Sequence, residues 1–63
     1  MTTNELVKNT EIAAKQLTSN PLCNAFFKKC INRKIKAIKA NPTNEGCLKA
    51  LQDLKVIAES MME

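Results

Sequence analysis

NPLCNAFFKKCINRKIKAIKAN, residues 20–41, decides the fold of this 63-residue chain. The stretch holds six of the ten basic residues, both phenylalanines and two of the three cysteines, and it lies between two Asn-Pro dipeptides. Asn20 suits an N-cap and Pro21 the first helical position, where no N–H donor is needed. Pro42 disfavours helical backbone at Asn41 and so ends the helix there. The spacing therefore predicts a helix over 20–40, about 30 Å long.

Stepping about 100° per residue sorts this helix into two faces. Phe26, Ala37, Cys30, Cys23, Phe27, Ile38, Ile31 and Ile35 form one apolar arc of about half the circumference, and Lys28, Lys39, Asn32, Lys36, Lys29 and Arg33 fill the other. A surface helix needs only a stripe of about 100°. The wider arc predicts that this helix is covered from two directions and is the packing hub. Lys34 interrupts the arc, with Phe27, Cys30, Ile31, Ala37 and Ile38 as its helical neighbours. Its stem is expected to lie on apolar surface while the ammonium reaches water; the alternative is a specific acidic partner on a neighbouring helix or chain.

Upstream, Thr2 and Glu5 have capping-box spacing, so a helix over 3–18 follows a short lead-in at 1–4. Leu6, Thr10, Ala13 and Leu17, with Val7 and Ala14 beside them, make its apolar stripe, and Glu11 and Lys15 stand at i,i+4. Ile12 points almost opposite that stripe. Downstream, Thr43 or Asn44 caps a helix over 44–62 with Glu45 in its first turn. Gly46 weakens that helix unless it permits a close approach. Cys47, Leu51, Leu54, Ala58 and Met61 repeat at 4-3-4-3 spacing as its core seam, with Ala50, Ile57 and Met62 alongside; Met61 and Met62 read as frayed core. The outer face carries Lys49, Gln52, Asp53, Lys55, Glu59 and Glu63 around a solitary Val56. Short connections of this kind fold successive helices back antiparallel.

At this size a chain buries only about 60% of its unfolded surface, and small domains usually add a disulfide, a metal or self-association. Cys23 and Cys30 are two helical turns apart, about 10 Å and beyond disulfide reach. There is no histidine and no C-x-x-C, so a structural zinc site is poorly supplied. The three cysteines thus read as small core hydrophobes in a reducing space, which leaves self-association as the expected staple. No basic-then-apolar leader opens the chain and no apolar run approaches a membrane span, so a cytoplasmic protein is expected.

The reading is a single all-α domain over 1–63: a small antiparallel bundle of three helices, or a helical hairpin with an appended short helix, assembled as a homodimer. Catalysis needs a nucleophile or acid–base pair in a pocket. With no histidine and only dispersed acids, no enzyme and no cofactor are expected. Net charge is +4, and no acid occurs between Glu11 and Glu45. The basic face formed by Lys28, Lys29, Asn32, Arg33, Lys36 and Lys39 therefore suits an acidic protein surface, or alternatively the phosphates of nucleic acid. The same arrangement is also what a merely solvated polar face looks like. A single arginine and the absence of Trp and Tyr count against base reading and stacking. Apolar residues where a recognition helix needs polar ones count against a helix-turn-helix, and a membrane surface is disfavoured because the domain needs its Phe and Ile side chains for its own core. Ile12, Lys34 and Val56 are candidate interface positions. No motif ties the chain to a family, although its short Lys/Asn-rich composition has the character of a small phage or plasmid accessory protein.

Overall fold

A computed structural model describes residues 2–62 as three α-helices: α1 (Thr3–Thr18), α2 (Ala25–Ala40) and α3 (Asn44–Met61). Met1 and Glu63, assigned above to the lead-in and to the outer face of the third helix, lie outside the described residues. Each helix begins at a side-chain oxygen that satisfies an otherwise orphaned amide. Thr2 Oγ1 accepts from the Glu5 N–H at 3.2 Å, Asn24 Oδ1 from the Phe27 N–H at 2.9 Å, and Thr43 Oγ1 from the Gly46 N–H at 2.9 Å.

The second of these caps corrects the expected start of α2. Asn20 and Pro21 do not open the helix; they form a turn before it. The Cys23 N–H donates to the Asn20 carbonyl and the Leu22 N–H donates to Asn20 Oδ1, both at 2.9 Å. Asn followed by Pro suits the first two positions of a β-turn as well as it suits a helix start. Only four residues later Asn24 supplies a second cap, and α2 is a 16-residue helix of about 24 Å.

The core has two halves. Ala14, Cys23, Ile31, Leu54 and Met61 form one cluster, while Leu6, Ile38, Cys47 and Ala50 form the other. Ile35 packs against both. The first half joins the end of α1 to the early part of α2 and the later part of α3; the second joins the start of α1 to the end of α2 and the start of α3. Thr3 Oγ1 donates to Asn44 Oδ1 at 2.6 Å, tying the first residues of α1 and α3 together. Between the halves, Thr10 is fully buried and turns its hydroxyl onto the Leu6 carbonyl at 2.7 Å, so its oxygen is satisfied within its own helix.

Helix α2 is not the hub. The most extensive contact is between α1 and α3, and the sparsest is between α2 and α3. Of the apolar arc on α2, Ile31 and Ile38 are buried and Phe27 and Ile35 pack against the core, whereas Cys30 is half-buried, Ala37 is exposed and Phe26 is 69% exposed. Helices α1 and α3 cover each other more than either covers α2. One flank of α2 is then left over.

Within α3 the buried seam also differs from the expected one. Cys47, Ala50, Leu54 and Met61 are buried with Ile57 beside them, while Leu51 and Ala58 are only half-buried. All three cysteines are free thiols; Cys23 and Cys47 are buried as expected, but Cys30 is half-exposed because it lies on the uncovered flank of α2.

Gly46 does permit a close approach. A β-carbon there would lie 2.7 Å from Thr43 Oγ1, the oxygen that caps α3. Replacing Gly by Ala in a helix ordinarily stabilises by about 1 kcal/mol, but here it pushes the capping hydroxyl off its bond. Gly46→Ala alone should therefore leave thermal stability unchanged or lower. Once Thr43→Ala has removed the cap, at a cost of about 0.5–2 kcal/mol, the same Gly46→Ala change should stabilise. Thermal melts of the four variants in a double-mutant cycle check this.

Candidate functional site

The outward half of α2 carries the densest charge in the molecule, and the helix contains no acid to balance it. Lys28, Lys29, Asn32, Arg33, Lys36 and Lys39 are all exposed, but they do not form one uniform face. Lys29, Arg33 and Lys36 follow i, i+4, i+7 spacing opposite the buried Ile31–Ile38 line and make its crest. Asn32 and Lys39 lie lower, in the groove between α1 and α2 with Glu11, Ala14, Lys15, Thr18 and Ile35.

Two cations at the edges of α2 are held by other helices. Lys39 Nζ lies 3.4 Å from Glu11 Oε1 of α1. Glu11, expected to pair with Lys15 along its own helix, reaches across the groove instead. On the opposite flank Lys34 Nζ donates to Asp53 Oδ2 of α3 at 2.8 Å. Lys34 is therefore held by a specific acid, the alternative to simple snorkelling. Asp53, expected on the outer face of α3, turns into the groove between α2 and α3, which Ala37, Ile38, Gly46 and Ala50 also line. Lys28, Lys29, Arg33 and Lys36 have no ion-pair partner among the described residues.

The hydrogen bond from Lys34 holds the Asp53 carboxyl below its ordinary value; partial burial opposes it, and the charges of Lys34 and Lys49 add to the lowering. Both partners are about one-third exposed, so water screens the pair and its contribution to stability is small.

Beside the crest runs a strip that the sequence assigned to the core. Phe26, Cys30 and Ala37 share one flank of α2, next to Arg33. Phe26 sets its ring edge-on to Phe27 at a centroid distance of 6.0 Å, and Leu22, in the turn just before, is 57% exposed. The expectation that both phenylalanines face the core thus holds only for Phe27. The signal that could have found this strip was the width of the apolar arc, more than two neighbouring helices need to cover.

Ile12 and Val56 are 55% and 54% exposed, as their positions opposite the buried stripes imply. Ile12 on α1 and Val56 on α3 face away from the buried stripes of their helices, whereas Lys34 lines the groove between α2 and α3. Among the described residues no group of three His, Cys, Asp or Glu side chains gathers where it could hold a metal ion, and no helix is long and apolar enough to cross a membrane. No protein-family model matches the chain, and no curated protein or solved structure matches it either.

A depressed carboxylate stabilises the fold above its unfolded-state pKa, and that contribution is lost as the pH falls through the lower folded value. Lys34→Met should raise the Asp53 pKa towards its ordinary value, near 4, and remove this part of the acid sensitivity. NMR titration of the Asp53 carboxyl in both proteins checks the shift, and melts between neutral pH and about pH 2 check its consequence.

Proposed function

We propose that this chain is a non-catalytic interaction module, a homodimeric antiparallel bundle that binds an anionic protein surface through the basic face of α2. The observation that carries this reading is the division of its cations. Lys34 and Lys39 are engaged by acids of the flanking helices, whereas Lys28, Lys29, Arg33 and Lys36 stand exposed without an ion-pair partner among the described residues. Like charges concentrated on one helix repel one another, and an anionic partner relieves that repulsion.

The apolar strip supports a protein partner in particular. Exposed Phe26 with Leu22, beside Arg33, combines an aromatic side chain with a planar cation, and both phenylalanine and arginine are enriched at protein interfaces. A partner helix or strand with an apolar stripe and acidic edge would fill both.

One observation favours the alternative, nucleic-acid binding on the same face. Phe26 is exposed and could stack on a base, which the sequence alone did not suggest. Against it stand the single arginine and the absence of Trp and Tyr.

Charge reversal at two crest positions, Lys29→Glu with Lys36→Glu, touches no contact within the fold. The helical CD spectrum and melting temperature should stay unchanged, and partner binding should be lost. Salt then separates the two classes: engagement of duplex phosphates through these four cations gives a log–log slope of about −3 to −4, whereas a protein partner gives a shallower slope and survives nuclease. A doubly reversed variant that binds as well as the wild type would reduce the crest to a solvated face.

A further inference from the structure

Between α2 and α3 the bundle is least closed. Contact between those two helices is the sparsest of the three, and the groove along it, about 320 Å³ in volume, is lined by the small residues Ala37, Gly46 and Ala50. Ala37 belongs both to this groove and to the uncovered flank of α2 that carries Phe26 and Cys30. Resting on the reading of an anionic protein partner, we propose that groove and flank together seat one acidic amphipathic helix of that partner, which lies along α2 as a fourth helix of the bundle.

The flank is spaced as a helix-pairing seam. Phe26, Cys30, Arg33, Ala37 and Ala40 follow 4-3-4-3 spacing, a line that keeps to one side of α2 about 130° round from the buried Ile31 and Ile38. No helix of this chain covers it: Phe26, Arg33, Ala37 and Ala40 are exposed and Cys30 is half-buried. The small side chains at Cys30, Ala37 and Ala40 leave holes that larger apolar residues of a second helix can enter, and Arg33 is the single strongly polar member, which sets register.

Charge decides what kind of helix fits. Positions flanking such a seam select the partner, and here they are Lys29 and Lys36 on one side and Lys34 on the other, while Phe27 packs against the core. Lys49 adds a cation across the groove. Asp53, the one acid that lines the groove among the described residues, already accepts from Lys34. The Lys34 ammonium keeps further N–H donors for a second carboxylate. A helix with glutamate or aspartate at its own flanking positions therefore meets cations on both sides. A second copy of α2 would bring lysines to the same places, and like charges across an interface are strongly unfavourable.

Shape decides that the occupant is helical. Both banks of the groove are α-helices whose backbone amides are engaged, so an extended segment finds no strand edge to join. A nucleic-acid duplex would rest on the crest and leave Phe26 and Ala37 in water.

A displayed library of helices of about three heptads, with seam positions varied over Leu, Ala and Gln and flanking positions over Glu, Gln and Lys, tests the assignment. Selection on the wild-type protein should enrich apolar seams with glutamate flanks. Binding of the enriched peptides, read by fluorescence anisotropy, should fall at least tenfold with Phe26→Ser and, independently, with Ala37→Gln, which fills the groove. Both changes replace exposed side chains, and CD spectra and melts check that each variant is folded. A central proline should abolish binding of an enriched peptide, and exchanging its glutamates for lysines should move its preference from the wild type to the Lys29→Glu, Lys36→Glu variant. Peptides lost by that crest variant but kept by both Phe26→Ser and Ala37→Gln would overturn the seat and leave the basic face standing. Failure to enrich acidic flanks would overturn both. Duplex DNA that binds more tightly than every enriched helix, with the same dependence on Phe26, would overturn the helix as occupant and assign the strip to nucleic acid.

Discussion

Scarcity of buried apolar surface is the constraint on which the rest of this molecule depends. Nine apolar residues among those described are buried, and four of them are alanine or cysteine. Among the described residues, Ile31 and Leu54 are the large apolar side chains that are fully enclosed. Burial stabilises by about 25 cal/mol per Å², so a core this thin leaves little margin over conformational entropy. Termini and turns then matter more than in a larger domain. Each helix start has its own side-chain cap, and the hydrogen bond from Thr3 to Asn44 joins two of those starts. Small residues in the core let helices come close, but they leave larger apolar residues, Leu48 and Phe26 among them, on flanks that the chain cannot cover by itself.

The same shortage explains where the charges sit. With few apolar contacts between α2 and α3, the Lys34–Asp53 pair lies where a larger protein would bury a further hydrophobic residue. Lys39 and Glu11 occupy the equivalent place between α2 and α1. Pairs this exposed contribute little to stability; burial of Ile31 and Ile38 is what sets the rotation of α2 about its axis. That rotation turns Lys29, Arg33 and Lys36 directly outward and leaves Phe26 at the edge. The geometry of the basic face is thus a product of packing on the opposite side of the helix.

Where the chain's signals are local, they could be read from the sequence. Thr2 and Thr43 with the first turns after them gave the starts of α1 and α3, and the two Asn-Pro dipeptides marked both connections. Asn20 misled because Asn-Pro has two local meanings, and only a second cap at Asn24 decides between them. What the sequence could not supply was pairing between helices. Lys34 and Asp53 are 19 positions apart, and nothing along α2 names an acid on α3. Nor could periodicity divide the broad apolar arc of α2. It showed that Phe26 and Ile31 were both apolar, while which of them is covered depends on how closely α1 and α3 approach each other.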